Sequence, residues 1–282
     1  ERVTMSQQST SRTVRTRDWN LHYHEAGSGH PLILFHGSGP GATGWSNFGG
    51  NLPALAEHFR VIAVDMPGWG ASDPCPVDKL EHVDAAVQFM DALDIDKAAV
   101  VGNSMGGVTT VRLAAEHPER VSHLITMGAA LNRGPRLYGA ADGPTEGIKI
   151  LVEAYRNPTT ETMMRLVEIM CFDKRFASEE LCRLRAEAAS AEPEHLKNFL
   201  AGLPHGWPVP SFASFDQLMG ISAPALLLHG RDDRVVHWEH TLHLVTHIPN
   251  SRMVLINRCG HWAMIEHAAE FNRLVIDFVT HN

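Results

Sequence analysis

The most constraining stretch of this chain is Gly102-Asn103-Ser104-Met105-Gly106-Gly107, set between the apolar run Ala98–Val101 and the helix-forming run Val108–Glu116. A serine with glycines two before and two after it, where a strand must turn at once into a helix, has few structural solutions. Glycine lets the two backbones approach closely, and the serine between them is left in a strained turn with its hydroxyl outward. The first N–H of the helix, that of Met105, then faces an anion formed on attack. Ser104 is a candidate nucleophile and Met105 a candidate oxyanion donor.

A serine hydroxyl attacks only when a base takes its proton, and an imidazole base needs a carboxylate to fix its tautomer. Chains with such a turn carry the acid and then the histidine downstream of the serine. The run Ala225–Leu228 leads through His229-Gly230 to Arg231-Asp232-Asp233-Arg234, which offers two adjacent acids. The run Met253–Ile256 leads to Asn257-Arg258-Cys259-Gly260-His261-Trp262, and of 18 histidines only His261 follows the last apolar strand at a Gly-His-Trp turn. After Leu32–Phe35 comes a glycine-rich loop, His36-Gly37-Ser38-Gly39-Pro40-Gly41 continuing to Trp45-Ser46-Asn47, that can bring backbone N–H groups close to a substrate oxygen. The N–H of Ser38 is the second candidate oxyanion donor, with Gly37 and Gly39 beside it. The turn Asp65–Ser72 reads as structural.

Around these motifs, from Leu21 to Phe278, short apolar runs alternate with helical stretches, the pattern of a mostly parallel sheet covered on both faces. The expected strands are Leu32–Phe35, Val61–Val64, Ala98–Val101, Leu124–Met127, Ala225–Leu228 and Met253–Ile256, each read as buried on both faces. Between Leu131 and Phe215 the alternation gives way to helices rich in Glu, Arg, Met and Ala. That segment, 131–215, is expected to form a helical lid over a core made of 1–130 and 216–282.

Composition excludes several classes. The chain has 282 residues, 44% of them hydrophobic, enough for a large core. Lys plus Arg is 24 and Asp plus Glu is 32, so the formal charge is 24 − 32 = −8, which attracts neither a phosphate backbone nor an anionic membrane. No apolar run approaches the roughly 20 residues that span a bilayer, and the N-terminal stretch is polar, with Glu1–Thr4 ahead of Met5 read as an extension. The expectation is a cytoplasmic protein with a small-molecule substrate, no nucleic-acid or membrane partner, and a symmetric homo-oligomeric assembly. Cys75, Cys171, Cys182 and Cys259 lack metal-binding or disulfide spacing and read as reduced thiols. His237, His240, His243 and His247 do not share one narrow helix face, so they read as solvated, with no metal expected.

Taken in order, His36–Gly41 with Trp45–Asn47, Gly102–Gly107, Gly230-Arg231-Asp232-Asp233-Arg234-Val235-Val236, and Cys259–Trp262 with Glu266-His267 and Glu270-Phe271-Asn272 resemble the meta-cleavage-product hydrolases of the α/β-hydrolase fold. The match runs over nearly the whole chain. It implies a 2-hydroxy-6-oxohexa-2,4-dienoate substrate with an aryl or alkyl group on C6, cleaved at a carbon–carbon bond without a cofactor. It also implies Asp233, rather than Asp232, as the acid, Arg185 as the partner of the substrate carboxylate, and Asn47, Asn103 and Trp262 as polar-pocket residues near Gly37 and Gly39. Met170, Phe172 and Trp207 are the candidates for the apolar side. His237 departs from the family, where proline is common. Two rival readings use the same triad: a carboxylic-ester hydrolase, and a ligand-binding member of the fold without turnover.

Overall fold

The computed structural model describes residues 5–131, 137–139, 144–205 and 211–282. Among these, eight strands form one sheet: β1 (Ser11–Arg15), β2 (Asn20–Ala26), β3 (Pro31–Phe35), β4 (Arg60–Val64), β5 (Ala98–Asn103), β6 (Val121–Met127), β7 (Ala225–Gly230) and β8 (Ser251–Ile256). Their order is β1-β2-β4-β3-β5-β6-β7-β8. The pairs β1–β2 and β2–β4 are antiparallel, and every other pair is parallel. This is the α/β-hydrolase architecture.

The six predicted runs are β3 to β8. Within them side chains alternate between two apolar layers: Leu32, Leu34, Val61 and Ala63 pack in one, Ile33, Phe35, Ile62 and Val64 in the other. One expectation fails at β8, which is not buried on both faces. It is the sheet edge, and Leu255 is 40% exposed there. The hairpin of β1 and β2 is absent from the predicted strands for a related reason: β1 is a polar edge strand with mostly exposed side chains, so it lacks the apolar signal of a buried strand.

Between β6 and β7 lie the helices Glu146–Arg156, Thr160–Met170, Glu179–Ser190 and Pro193–Gly202, within the segment expected to be a helical insertion. Thr145, Thr159 and Ser178 cap three of them with side-chain oxygens. The insertion is tied down at defined points. Glu239 accepts the N–H groups of Leu137, Tyr138 and Gly139 at its start. The Arg234 guanidinium donates to the carbonyls of Glu168 and Cys171, capping the end of Thr160–Met170. No helix among the described residues is long and apolar enough to cross a membrane. Because β3 and β5 to β8 run parallel, the loops after them gather at one edge of the sheet.

Candidate active site

Ser104 follows β5 with φ 53° and ψ −111°, a left-handed conformation that costs a non-glycine residue ~1–3 kcal/mol and persists because its surroundings fix it. The glycines around it are required by contact. A Cβ on Gly102 would lie 2.1 Å from the Gly106 carbonyl oxygen, and one on Gly106 would lie 2.1 Å from that of Phe35. The helix Met105–Glu116 begins directly after Ser104, so its first N–H groups have no partner within the helix.

Asp233 and His261 meet at the ends of β7 and β8. His261 Nδ1 donates to Asp233 Oδ2 at 2.7 Å. The other carboxylate oxygen accepts the N–H groups of Val235 at 2.8 Å and Val236 at 2.9 Å. Burial alone would raise this carboxyl, but His261 and His229 outweigh it and hold the group well below the usual carboxylate range. Asp232 turns away and accepts the Cys259 N–H at 3.3 Å. Gly128, with φ +61°, leaves room for the imidazole: a Cβ there would lie 3.0 Å from His261 Nδ1.

Sequence reasoning missed several of the supporting residues. His229 Nε2 stands 2.7 Å from the Val236 carbonyl and 3.1 Å from Asp233 Oδ2. Both are acceptors, so Nε2 carries the proton and Nδ1 accepts from the Thr241 hydroxyl at 2.7 Å. Asp233 thus receives a second imidazole N–H. The position of His229 at the end of a buried strand, four residues before the acid, was the available signal. Glu266 joins two loops, accepting the N–H groups of Gly260, Phe172 and Asp173. The His261 N–H donates to the Met170 carbonyl at 2.7 Å, so the end of an insertion helix touches the histidine loop itself.

One cavity is lined by Ser104, His261, Gly37, Ser38 and Gly39, and further by Asn47, Asn103, Arg185, Trp262, Met170, Leu151 and Ala42. Its free volume is about 10 Å³, no more than a single water needs. Arg185 is 5% exposed, its guanidinium stacked over the Trp262 ring at 4.9 Å. Its Nε and Nη2 meet no hydrogen-bond acceptor among the described residues, and burial pushes its pKa down to about 10. Asn103 uses its amide internally. Its Nδ2 donates to the carbonyls of Met127 and His261, and its Oδ1 accepts from Asn47, so it braces the serine strand against the histidine loop. Leu151 and Met170 supply the apolar wall. Phe172 differs from expectation: the helix ends at Met170, and the Phe172 side chain is 46% exposed and does not line the cavity. Trp207 lies outside the described residues.

Of the histidines read as solvated, His240 Nδ1 accepts the Leu131 N–H at 3.1 Å and His237 lies 3.2 Å from the Glu239 carboxylate, so both have protein partners. Asn47, Arg185 and Trp262 also line a second cavity of about 500 Å³ that is walled further by Trp45, Leu181 and Leu184, so these three residues are shared by the two cavities.

A model of the alpha/beta hydrolase family matches residues 32–274. The chain is 40% identical over 288 residues to the 2-hydroxy-6-oxononadienedioate/2-hydroxy-6-oxononatrienedioate hydrolase 1 of Dechloromonas aromatica (strain RCB), covering 99% of this chain and 98% of that one. It is 43% identical to the 2-hydroxy-6-oxo-6-phenylhexa-2,4-dienoate hydrolase of Comamonas testosteroni, covering 93% of this chain and 92% of the relative. The solved meta-cleavage product hydrolase of Pseudomonas fluorescens IP01 superposes with a TM-score of 0.86 at 33% identity, over 97% of this chain and 98% of that one. With the sheet order, the serine turn and the Asp233–His261 pair already described, these likenesses place the chain in the meta-cleavage-product hydrolases of the alpha/beta hydrolase family.

Proposed function

We propose that this chain hydrolyses the C5–C6 bond of a 2-hydroxy-6-oxohexa-2,4-dienoate bearing an aryl or alkyl group on C6, giving 2-hydroxypenta-2,4-dienoate and a carboxylic acid. Beyond family membership, one observation carries the reading: a buried guanidinium whose Nε and Nη2 have no acceptor among the described residues lines the same cavity as Ser104 and His261. A simple ester offers it nothing, whereas an acid substrate supplies a carboxylate matched to its planar fork. The apolar wall of Leu151 and Met170 supports an uncharged C6 substituent.

The chemistry turns on the leaving group. Carbon departs poorly as a bare carbanion, so a proton is first delivered to C5 of the dienol, converting it to the keto tautomer, with His261 as the proton carrier. The fragment that then departs is a stabilised dienolate. His261, held in one tautomer by Asp233, takes the Ser104 proton as Oγ attacks the C6 carbonyl. Negative charge collects on the C6 oxygen, where the backbone N–H groups of Ser38 and Met105 receive it, each worth about 3 kcal/mol of barrier. The C5–C6 bond breaks, the dienolate leaves, and water activated by His261 releases the acyl group from Ser104. The helical insertion acts as the lid that excludes bulk water during these steps.

The test is an absorbance assay of the wild type and Ser104→Ala on the phenyl and methyl dienoates, with the nonadienedioate as a third substrate. The expected result is that Ser104→Ala binds the chromophore and does not cleave it; full cleavage by the variant would remove Ser104 as nucleophile. Wild-type protein that turns over aryl esters and leaves the dienoates intact would replace this reading with an ester hydrolase. The proposed assembly is a symmetric homo-oligomer, supported by the half-exposed edge strand β8, and light scattering on the purified protein reports it.

A further inference from the structure

Two peptide planes flank Ser38, and each is held by a different side chain. His36 Nδ1 donates to the Gly37 carbonyl at 2.7 Å, while His36 Nε2 accepts the Met66 N–H at 3.0 Å. His36 is fully buried, which lowers its proton affinity, so the ring stays neutral with one proton on Nδ1. In a trans peptide the N–H points opposite the C=O, and no cis bond occurs among the described residues. Fixing the Gly37 carbonyl therefore fixes the direction of the Ser38 N–H.

The next plane, Ser38–Gly39, is held from the insertion. The Tyr155 hydroxyl, on the helix Glu146–Arg156, donates to the Ser38 carbonyl. Trp69 Nε1 donates to the same hydroxyl at 3.0 Å. An indole N–H can only donate, so the tyrosine oxygen accepts there and its single proton is committed to Ser38. Tyr155 is also stacked on Phe199 of the helix Pro193–Gly202, with ring centroids 3.6 Å apart and planes 3° from parallel. The insertion makes a second contact nearby, where His195 Nε2 donates to the Gly70 carbonyl at 3.0 Å.

We infer that Tyr155 is a positioning residue for the oxyanion loop, so that seating of the insertion and alignment of the Ser38 and Gly39 N–H groups are one event. With both planes held, Ser38 cannot swing by coupled rotation about its own φ and ψ. Release of the Tyr155 bond frees the second plane and leaves the first held only by His36. An insertion lifted away from the core thus carries off the group that keeps the oxyanion donors aimed. The inference rests on the oxyanion role assigned above to this loop.

Tyr155→Phe keeps the ring stacked on Phe199 and removes only the hydroxyl. Three quantities separate positioning from general weakening: kcat and KM for dienoate cleavage, the dissociation constant of the dienoate on the Ser104→Ala background, and the inhibition constant of phenylboronic acid, which forms a tetrahedral adduct with an active serine. The expected result is a kcat about 10-fold lower, a boronate constant weaker by the same factor, and KM and the ground-state dissociation constant within about two-fold of the parent. Trp69→Phe should give a smaller loss of the same kind, and the double variant should be no worse than Tyr155→Phe alone, because Trp69 acts through Tyr155. An unchanged kcat, or equal weakening of boronate and ground-state binding, overturns the inference. Should Tyr155→Phe fail to fold, Trp69→Phe is judged by the same ratio. The boronate measurement does not use the dienoate, so a protein that captures boronate but leaves dienoates intact fails the substrate reading alone.

Discussion

A buried guanidinium with unpaired donors is costly to the free protein, since the charge has left water without a compensating partner. Among the described residues Arg185 Nε and Nη2 are in that state, with the Trp262 ring face as the guanidinium's neighbour, and in the proposed reading the cost is repaid when the substrate carboxylate enters. Arg185→Met should therefore pull two measurements apart. Stability of the free protein should rise by ~1–3 kcal/mol, seen as a higher Tm. Dienoate kcat/KM should fall roughly 100-fold, about 3 kcal/mol for a lost charge-assisted pair. A loss of stability would mean that Arg185 is a structural residue. Asp233 behaves in the opposite sense, because its partners are already in place. Its carboxyl is depressed in the folded state, so its stabilisation is complete above the ordinary carboxylate pKa of about 3.9 and is lost as pH falls through the lowered folded value. Asp233→Asn should lower kcat by roughly 10⁴. Its stability deficit against wild type, followed by thermal melts, should be constant at neutral pH and shrink only below about pH 4. A deficit that narrows already between pH 7 and pH 5 would assign the titration to another group.

At the level of elements, the loops after the strands matter more than the strands. Glu266 receives one N–H from the histidine loop and two from the segment that follows the helix Thr160–Met170, so one carboxylate joins the insertion to the loop that carries His261. Glu266→Ala strands three N–H groups and should cost about 2–4 kcal/mol of stability by denaturant titration, with kcat falling alongside. Preserved stability would show that water replaces it without strain. Such joints explain what could be read from the chain beforehand. The strands β3 to β8 announce themselves as short apolar runs, and Gly102–Gly107 is legible because its glycine spacing between a strand and a helix is a local pattern, although Gly106 and Gly107 are held by contacts with Phe35 and Ala129 far along the chain. His261 was legible because a turn after a last strand is a local signal. Glu266, Tyr155 and His229 were not: their importance lies in partners dozens of residues away, or in a turn whose geometry depends on the sheet. The edge strand β1 was hidden for the contrary reason, since polar edge residues carry little periodic signal. Phe172 was misjudged because apolar character near Met170 cannot by itself show on which side of a helix end a ring will fall.

For the molecule as a whole, charge and closure pull against the substrate. A formal charge of −8 repels an anionic dienoate at long range, against the contact attraction proposed for Arg185. Raising the ionic strength from about 0.01 M to about 0.15 M shortens the screening length from roughly 30 Å to roughly 8 Å. Dienoate kcat/KM should rise about two-fold over that range while kcat stays level, because Arg185 is buried from the salt. A falling kcat/KM would mean that local positive charge governs capture. Closure is the second barrier: the inner cavity has room for little more than a water, so Leu151, Met170 or the shared residues Asn47, Arg185 and Trp262 must give way before a substrate can enter. The carbonyl of Met170, bonded to the His261 N–H, has a consequence for anyone recombining these enzymes. A transplanted insertion brings with it the carbonyl that receives the backbone N–H of the recipient's histidine loop. Chimeras that keep Met170 to Asp173 together with Glu266 should hold the His261 loop in place, whereas splices at the helix end Met170 should displace it.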